Sequence, residues 1–133
     1  MTRRNVKNYY QINEAKQKVP GGSGEQKRNM KQEQVIQRIT ELGKSILPEG
    51  VSLWLYGSRA RGDNRPDSDY DLLILLDKEK LTSRDYDCVF DLRMLGIELN
   101  EEINPTVYPK KRWNEWSFTP FYYNVEEDKV VLA

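Results

Sequence analysis

The sequence has no histidine and a single cysteine, Cys88, among its 133 residues. Without histidine, the chain cannot build a Ser–His or Cys–His catalytic pair or a histidine metal site. A lone cysteine cannot form an internal disulfide, and the N-terminus lacks a signal-peptide pattern, so we expect a cytoplasmic protein. No histidine is present to activate Cys88, and we expect it to pack inside the fold.

Long apolar runs are also missing, since no stretch approaches the roughly 20 residues of a membrane span, and we expect no membrane association. The formal net charge is zero, but residues 1–31 carry eight Lys/Arg and two acids, against thirteen and nineteen in residues 32–133. A basic arm can bind nucleic acid. This arm has little aromatic interleaving beyond Tyr9 and Tyr10, so a solvated leader is favoured over a nucleic-acid contact.

The length of the chain fits one domain. The segment from Pro20 to Gly24 is rich in glycine and indicates a flexible linker. We therefore divide the chain into a basic leader and linker at residues 1–24 and a domain at residues 25–133.

Apolar spacing predicts alternating helices and strands after the linker. Val35, Ile36 and Ile39 begin the three- and four-residue spacing of an amphipathic helix. The continuous apolar run at 70–76 indicates a central strand covered on both faces. The expected elements are a helix at 25–47, a strand at 51–56, a short helix at 59–61, a strand at 70–76, a helix at 83–99, a strand at 102–108 and a helix from 120. This order predicts an α/β (α+β) fold, in which a small mixed β-sheet packs against helices.

Three of these elements carry further signals. Pro105 removes a ladder donor from the third strand and favours an edge position. In the helix at 83–99, one side is apolar and consists of Tyr86, Phe90, Met94 and Ile97. Near the C-terminus, core packing is favoured over base stacking for a set of aromatic residues, Trp113, Trp116, Phe118, Phe121, Tyr122 and Tyr123.

Two aspartates stand at the mouth of the central strand. Because side chains alternate along a strand, Asp69 and Asp71 point the same way, about 6.5–7 Å apart along the backbone. Like charges beside an apolar core raise each other's pKa and destabilise the fold unless a counter-charge is present. Mg²⁺ supplies such a charge and also binds phosphate oxygens, so the pair predicts phosphate chemistry.

A Gly57–Ser58 turn ends the preceding strand. Glycine lets the backbone come close to a ligand, and amides at the start of a following helix attract phosphate. Arg59, Arg61 and Arg65 add positive charge between the turn and the aspartates.

The combination of Gly-Ser, ten residues and Asp-Tyr-Asp between two apolar strands resembles the signature of the polymerase-beta-like nucleotidyltransferase superfamily. The segments YGSRARG and SDYDL resemble its minimal single-domain branch. The resemblance implies a nucleotidyltransferase fold and transfer of a nucleoside monophosphate from an NTP, with ATP expected, to an acceptor with the help of Mg²⁺. It assigns Gly57 and Ser58 to the triphosphate, Asp69 and Asp71 to the metals, and Arg61 to a phosphate or structural role.

One departure from this family pattern concerns catalysis. Active members carry a third carboxylate on the next strand, where this chain has no aspartate. Glu102 and Asn104 share a face, so either is a candidate for the position, but asparagine binds metal more weakly and cannot act as a base. The competing hypothesis is therefore a catalytically weakened nucleotide-binding or antitoxin-like subunit that acts through a partner protein.

The resemblance also bears on partners. Larger relatives use an extra helical module to hold their acceptors, and we expect none in a chain of this length. Acceptor recognition is then expected to come from a small helical partner protein, of the kind found in toxin–antitoxin operons, or from self-association. The residues leave the NTP base, the acceptor and the oligomeric state open.

Overall fold

The computed structural model describes Arg4–Asn5 and residues 31–133, which form a five-stranded mixed sheet. Its strands are β1 Arg4–Asn5, β2 Ser52–Tyr56, β3 Tyr70–Leu76, β4 Ile103–Pro109 and β5 Val130–Val131, arranged in the order β1-β5-β2-β3-β4. Strand β2 is antiparallel to β3 and β5, whereas β3 is parallel to β4 and β1 to β5. Apart from Arg4–Asn5, the leader and its proposed boundary at residues 24–25 lie outside the described residues.

The helices connect these strands and cover both faces of the sheet. They are α1 Gln32–Ile46, α2 Ser58–Arg61, α3 Asp87–Leu99 and α4 Pro120–Asp128, with 3₁₀ turns at Ser83–Tyr86 and Lys110–Trp116. The Thr119 hydroxyl accepts a hydrogen bond of 3.1 Å from the Tyr122 amide, and proline follows at the first helical position, which explains where α4 begins. The predicted α/β architecture is confirmed.

Strand β3 lies at the centre of the fold and separates two apolar clusters. Tyr70, Leu72 and Ile74 face α1 and α3, whereas Leu73 and Leu75 face α4 and the 3₁₀ turn before it. All five side chains are buried, which confirms the strand that the apolar run predicted. The alternation also fixes the direction of Asp71, which falls on the α4 face with Leu73.

Strand β4 is an edge strand, as Pro105 predicted. Its parallel neighbour β3 places Asp71 opposite Asn104 and Leu72 opposite Pro105. Within the described part of the chain, no helix has the length and hydropathy of a membrane span.

Helix α3 buries the side opposite to its apolar stripe. Cys88, Leu92 and Leu95 face the sheet, and burial raises the pKa of the Cys88 thiol, in agreement with a packing role. The side chains of Tyr86, Phe90, Met94 and Ile97, which we name the α3 stripe, point to solvent.

The C-terminal aromatic residues divide between the core and the surface. Trp113 is buried on the α4 face of the sheet, and Phe121 and Tyr122 pack against it with ring centroids 5.8 and 5.0 Å away. The expectation of core packing is met by these three residues. It is wrong for Trp116, Phe118 and Tyr123, which are exposed.

Candidate active site at the Gly57–Ser58 turn and the Asp69–Asp71 pair

Asp71 is the second residue of β3 and lies between two partners from neighbouring strands. In the sheet register, Tyr56 of β2 stands on one side and Asn104 of β4 on the other. Burial raises the pKa of the Asp71 carboxyl, and the nearby charge of Asp69 raises it further. The hydrogen bond from Asn104 and the charge of Arg61 act in the opposite direction, but burial is the largest cause.

The Gly57–Ser58 turn lies directly against this carboxylate. A Cβ atom on Gly57 would come within 2.6 Å of Asp71 Oδ2, a distance that real Cβ atoms essentially never show. Gly57 also has φ 78° and ψ −160°, a region that only glycine occupies readily. Its carbonyl accepts bonds of 3.0 Å from the amides of Ala60 and Arg61, and these bonds start α2. Both halves of the sequence motif therefore meet in space.

Arg59 is a structural residue of this site. Its guanidinium is buried over the ring of Tyr70, 4.3 Å from the centroid, and donates to the main-chain carbonyls of Pro66 and Ser68 at 3.0–3.1 Å. A further bond of 2.8 Å reaches the Gln32 side chain on α1. These bonds fix the loop that leads to Asp69. From the sequence alone Arg59 is only a positive charge, and no local pattern predicts its structural role.

Arg61 lies at the rim of the site. Its guanidinium pairs with Asp63 at 3.1 Å and with Asp128, at the end of α4, at 2.7 Å. These two hydrogen bonds raise the pKa of the guanidinium. Because the side chain is about half exposed and its charge is felt at Asp71, it joins α2 to α4 while contributing positive potential to the site.

The two candidates for a third acidic position are placed differently. Asn104 Nδ2 donates a hydrogen bond of 3.3 Å to Asp71 Oδ1, so the asparagine directly contacts the half-buried carboxylate. Glu102 precedes β4, its carbonyl accepts a 2.8 Å bond from the Tyr70 amide, and its side chain is exposed. The structure thus puts an amide beside Asp71, and it puts the Glu102 carboxylate at the margin of the site.

Tyr56 was not among the residues singled out from the sequence. Its ring packs edge-on against Phe121, with centroids 5.7 Å apart, and its hydroxyl has a hydrogen bond with the Thr106 side chain. Burial and the charge of Asp71 raise the pKa of the Tyr56 phenol. The ring therefore forms an apolar wall beside the carboxylate. Only the register of β2 against β3 places it there, and that register cannot be read from either segment alone.

The donor set at this position fits a divalent cation. Asp69 and Asp71 offer carboxylate oxygens on one face, and their mutual repulsion favours a bound counter-charge. In the described residues, no group of three or more acidic, cysteine or histidine side chains could hold a metal alone. Mg²⁺ commonly takes only one or two carboxylates and completes its shell with water and phosphate oxygens. The residues present are therefore compatible with Mg²⁺ bound together with a phosphate ligand.

Comparison with known families agrees with this geometry. A family model described as a nucleotidyltransferase domain matches residues 26–129, which include the turn, both aspartates and β4. The chain belongs to this family. The polymerase-beta-like resemblance is thereby confirmed.

A solved structure supports the fold of this nucleotidyltransferase domain. A chain from a crystal structure described as a toxin–antitoxin with AMP-PNP has 17% sequence identity and a TM-score of 0.51, and the match covers 74% of this chain and 72% of that one. No curated protein sequence matches the domain.

Proposed function

We propose that this chain is a Mg²⁺-dependent enzyme that transfers a nucleoside monophosphate from an NTP, which we take to be ATP, to an acceptor hydroxyl. The observation that carries the proposal is the contact between Gly57 and Asp71, because it joins a turn suited to phosphate with a carboxylate suited to a cation. The raised pKa of Asp71 supports it, since a carboxylate without a counter-charge is unfavourable there.

Each side chain of the site has a role in this proposal. The main chain at Gly57–Ser58 orients the triphosphate, Asp69 and Asp71 hold the cation, and Arg61 adds positive potential. The acceptor oxygen bonds to the α-phosphorus, the bond from that phosphorus to pyrophosphate breaks, and pyrophosphate leaves. Bound Mg²⁺ supplies neutralisation of the charge on the triphosphate and on the leaving group. The hydroxyl proton passes to a carboxylate, for which Glu102 is our candidate.

A second function is favoured by Asn104. Where an active site would place a third carboxylate, its amide donates to Asp71, and an amide cannot accept the acceptor's proton. On this hypothesis the domain binds Mg–NTP but transfers slowly or not at all, and it acts as a nucleotide-binding or antitoxin-like subunit.

We further propose that the acceptor, or the regulated molecule, is a partner protein in the cytoplasm. The structural neighbour comes from a toxin–antitoxin assembly with AMP-PNP, and we extend that type of assembly to this chain as a hypothesis. The single cysteine, which cannot form an internal disulfide, fits a cytoplasmic location.

Nucleotide binding is tested by titrating ATP into the protein by calorimetry, with and without Mg²⁺. We expect saturable binding only with Mg²⁺, and we expect Asp71→Asn to abolish it. Asp67→Asn is the matched control, because Asp67 is an exposed acid in the same loop. Equal loss in both variants, or binding that does not depend on the metal, would contradict the site.

Transfer is tested with α-labelled ATP and the protein purified with its native partners. Labelling that is lost in Asp71→Asn supports the enzyme, whereas Mg–ATP binding without labelling supports the nucleotide-binding subunit. In that second case we expect the Asn104→Asp variant to give a labelling rate at least about 10-fold above that of the wild type, because the substitution adds a base beside Asp71. Labelling that survives Asp71→Asn would remove the assignment of the site.

A further inference from the structure

The α3 stripe is the largest group of exposed apolar side chains in the described part of the chain. Its members Tyr86, Phe90, Met94 and Ile97 are 52, 65, 47 and 73% exposed, and only three other large hydrophobic residues there are exposed. At about 200 Å² of accessible surface per fully exposed side chain, the stripe exposes roughly 500 Å² of mostly apolar surface to solvent. A patch of this size lies near the top of the range for a monomer and commonly marks an interaction site.

An acidic edge borders one side of the stripe. Asp87 and Asp91 are one helical turn apart and lie three residues before Phe90 and Met94 respectively, so they line the stripe on the side of α1. Both also line a cavity of about 450 Å³ between the end of α1 and the start of α3, which includes Ile46 and Leu47. The cavity thus combines apolar walls with a carboxylate rim.

A long basic side chain suits the lining of this cavity. Its aliphatic stem can pack on Ile46 and Leu47 while its charged end meets Asp87 and Asp91. Five acids and two basic residues line the cavity, and one of the acids, Asp85, is already paired with Lys78 at 2.8 Å. The remaining charge is negative.

We propose that the outward side of α3 binds an amphipathic helix of a partner protein, with the partner's apolar side on the α3 stripe and Lys or Arg side chains along the edge that meets Asp87 and Asp91. An α-helix of 13 residues such as α3 is about 20 Å long, which suits four or five apolar contacts at three- and four-residue spacing. The stripe alone supplies somewhat over half of the roughly 800 Å² per partner of a stable interface, and the cavity rim adds to it.

The charges disfavour a second copy of this chain as the occupant. In an antiparallel two-fold pair of α3 helices, each edge meets the same edge of the other copy, so the two acidic edges that carry Asp87 and Asp91 would face each other. A partner with Lys or Arg along this edge is instead attracted to Asp87 and Asp91.

This surface lies on the opposite side of the sheet from the candidate active site. Helix α3 packs on the face that holds Leu72 and Ile74, while Asp71 shares the other face with Leu73. A partner bound at the α3 stripe therefore leaves the Gly57–Asp71 site open. The proposal does not depend on nucleotide transfer. We expect the Asp71→Asn variant to bind the partner helix with the same affinity as the wild type.

The first test uses two model helical peptides of about 18 residues, both with leucines along one side of the helix. One peptide has lysines along the edges of the leucine side, and the other has glutamates at the same positions. Fluorescence anisotropy should show saturable binding of the lysine peptide and binding about 10-fold weaker or absent for the glutamate peptide. The combined F90S and I97S substitutions should weaken the lysine peptide about 10-fold or more. Phe118→Ser is the matched control, since Phe118 is exposed and lies outside the α3 stripe.

Charge variants keep the proposal testable if the double variant fails to fold. The Asp87→Asn and Asp91→Asn substitutions should each weaken the lysine peptide and reduce the salt dependence of its binding. Equal binding of both peptides, or unchanged binding in the stripe and charge variants, would overturn the proposal. Sedimentation velocity should give a monomer for wild type, and a dimer that F90S dissociates would show that a second copy occupies the face and would also overturn it.

Discussion

The contact between Gly57 and Asp71 predicts a large and specific effect of Gly57→Ala. The added Cβ would stand 2.6 Å from Asp71 Oδ2, whereas ordinary contact begins at 3.4 Å, so the two groups must separate by about 0.8 Å. The backbone at φ 78° and ψ −160° adds strain of about 1–3 kcal/mol for a residue with a side chain. We therefore expect lower stability together with a displaced carboxylate.

Both effects can be measured. With a urea m value of about 2 kcal/mol per molar, the strain should lower the urea midpoint of unfolding by roughly 0.5–1.5 M. Tryptophan fluorescence measures this midpoint. A displacement approaching 1 Å at a catalytic group can cost about 100-fold in rate, so transfer activity, or Mg–ATP affinity if transfer is absent, should fall steeply.

Gly50→Ala separates backbone strain from damage to the site. Gly50 has φ +82° and also faces a carboxylate, but its added Cβ would stand 3.4 Å from Asp77 Oδ2, at the other end of β2. We expect Gly50→Ala to destabilise the protein and to leave Mg–ATP binding unchanged. If Gly57→Ala binds Mg–ATP as well as Gly50→Ala does, the turn does not position Asp71 and the reasoning is refuted.

Three further predictions concern the site and its support. Arg59→Lys keeps the charge but loses the planar guanidinium that donates to the carbonyls of Pro66 and Ser68, so the free energy of unfolding should fall by about 2–4 kcal/mol. R65K is the control and should have little effect. Equal urea midpoints for the two variants would contradict this prediction. The pKa of Asp71 is raised in the folded state, so its ionised carboxylate destabilises the fold above that pKa. Without metal, D71N should therefore raise the melting temperature at pH 7, and this gain should shrink as the pH falls through the folded pKa towards the ordinary value of 3.8. A gain that grows on acidification would refute the predicted sign. Thr119→Ala removes the N-cap of α4 and should cost about 1 kcal/mol in urea unfolding, whereas S117A, which makes no such bond to α4, should cost less.

The elements of this fold follow closely from local sequence patterns. The apolar run at Tyr70–Leu76 gives a strand with the same ends in the structure, and Pro105 correctly indicates an edge strand. These features are predictable because burial on both faces and a missing amide donor act within a few residues. The close approach of Gly57 and Asp71 was also expected from the motif, through its spacing between two strands.

What the sequence could not provide depends on contacts between distant segments. Arg59 counted as one positive charge among three, and only the path of the loop back over α2 shows that its guanidinium binds main-chain carbonyls. The strand register decides that Asn104 touches Asp71 while Glu102 stays at the margin. The α3 stripe was visible as a period, but a period alone does not tell which side of a helix faces the core.

The loop between Gly62 and Asp69 is held from beneath through its main chain, since Arg59 donates to the carbonyl oxygens of Pro66 and Ser68. An outward residue such as Asp67, which is exposed, can therefore be randomised with little effect on the path of the chain. This makes the loop a natural place for a randomised library, with Arg59, Gly57 and the two aspartates kept constant as its invariant frame.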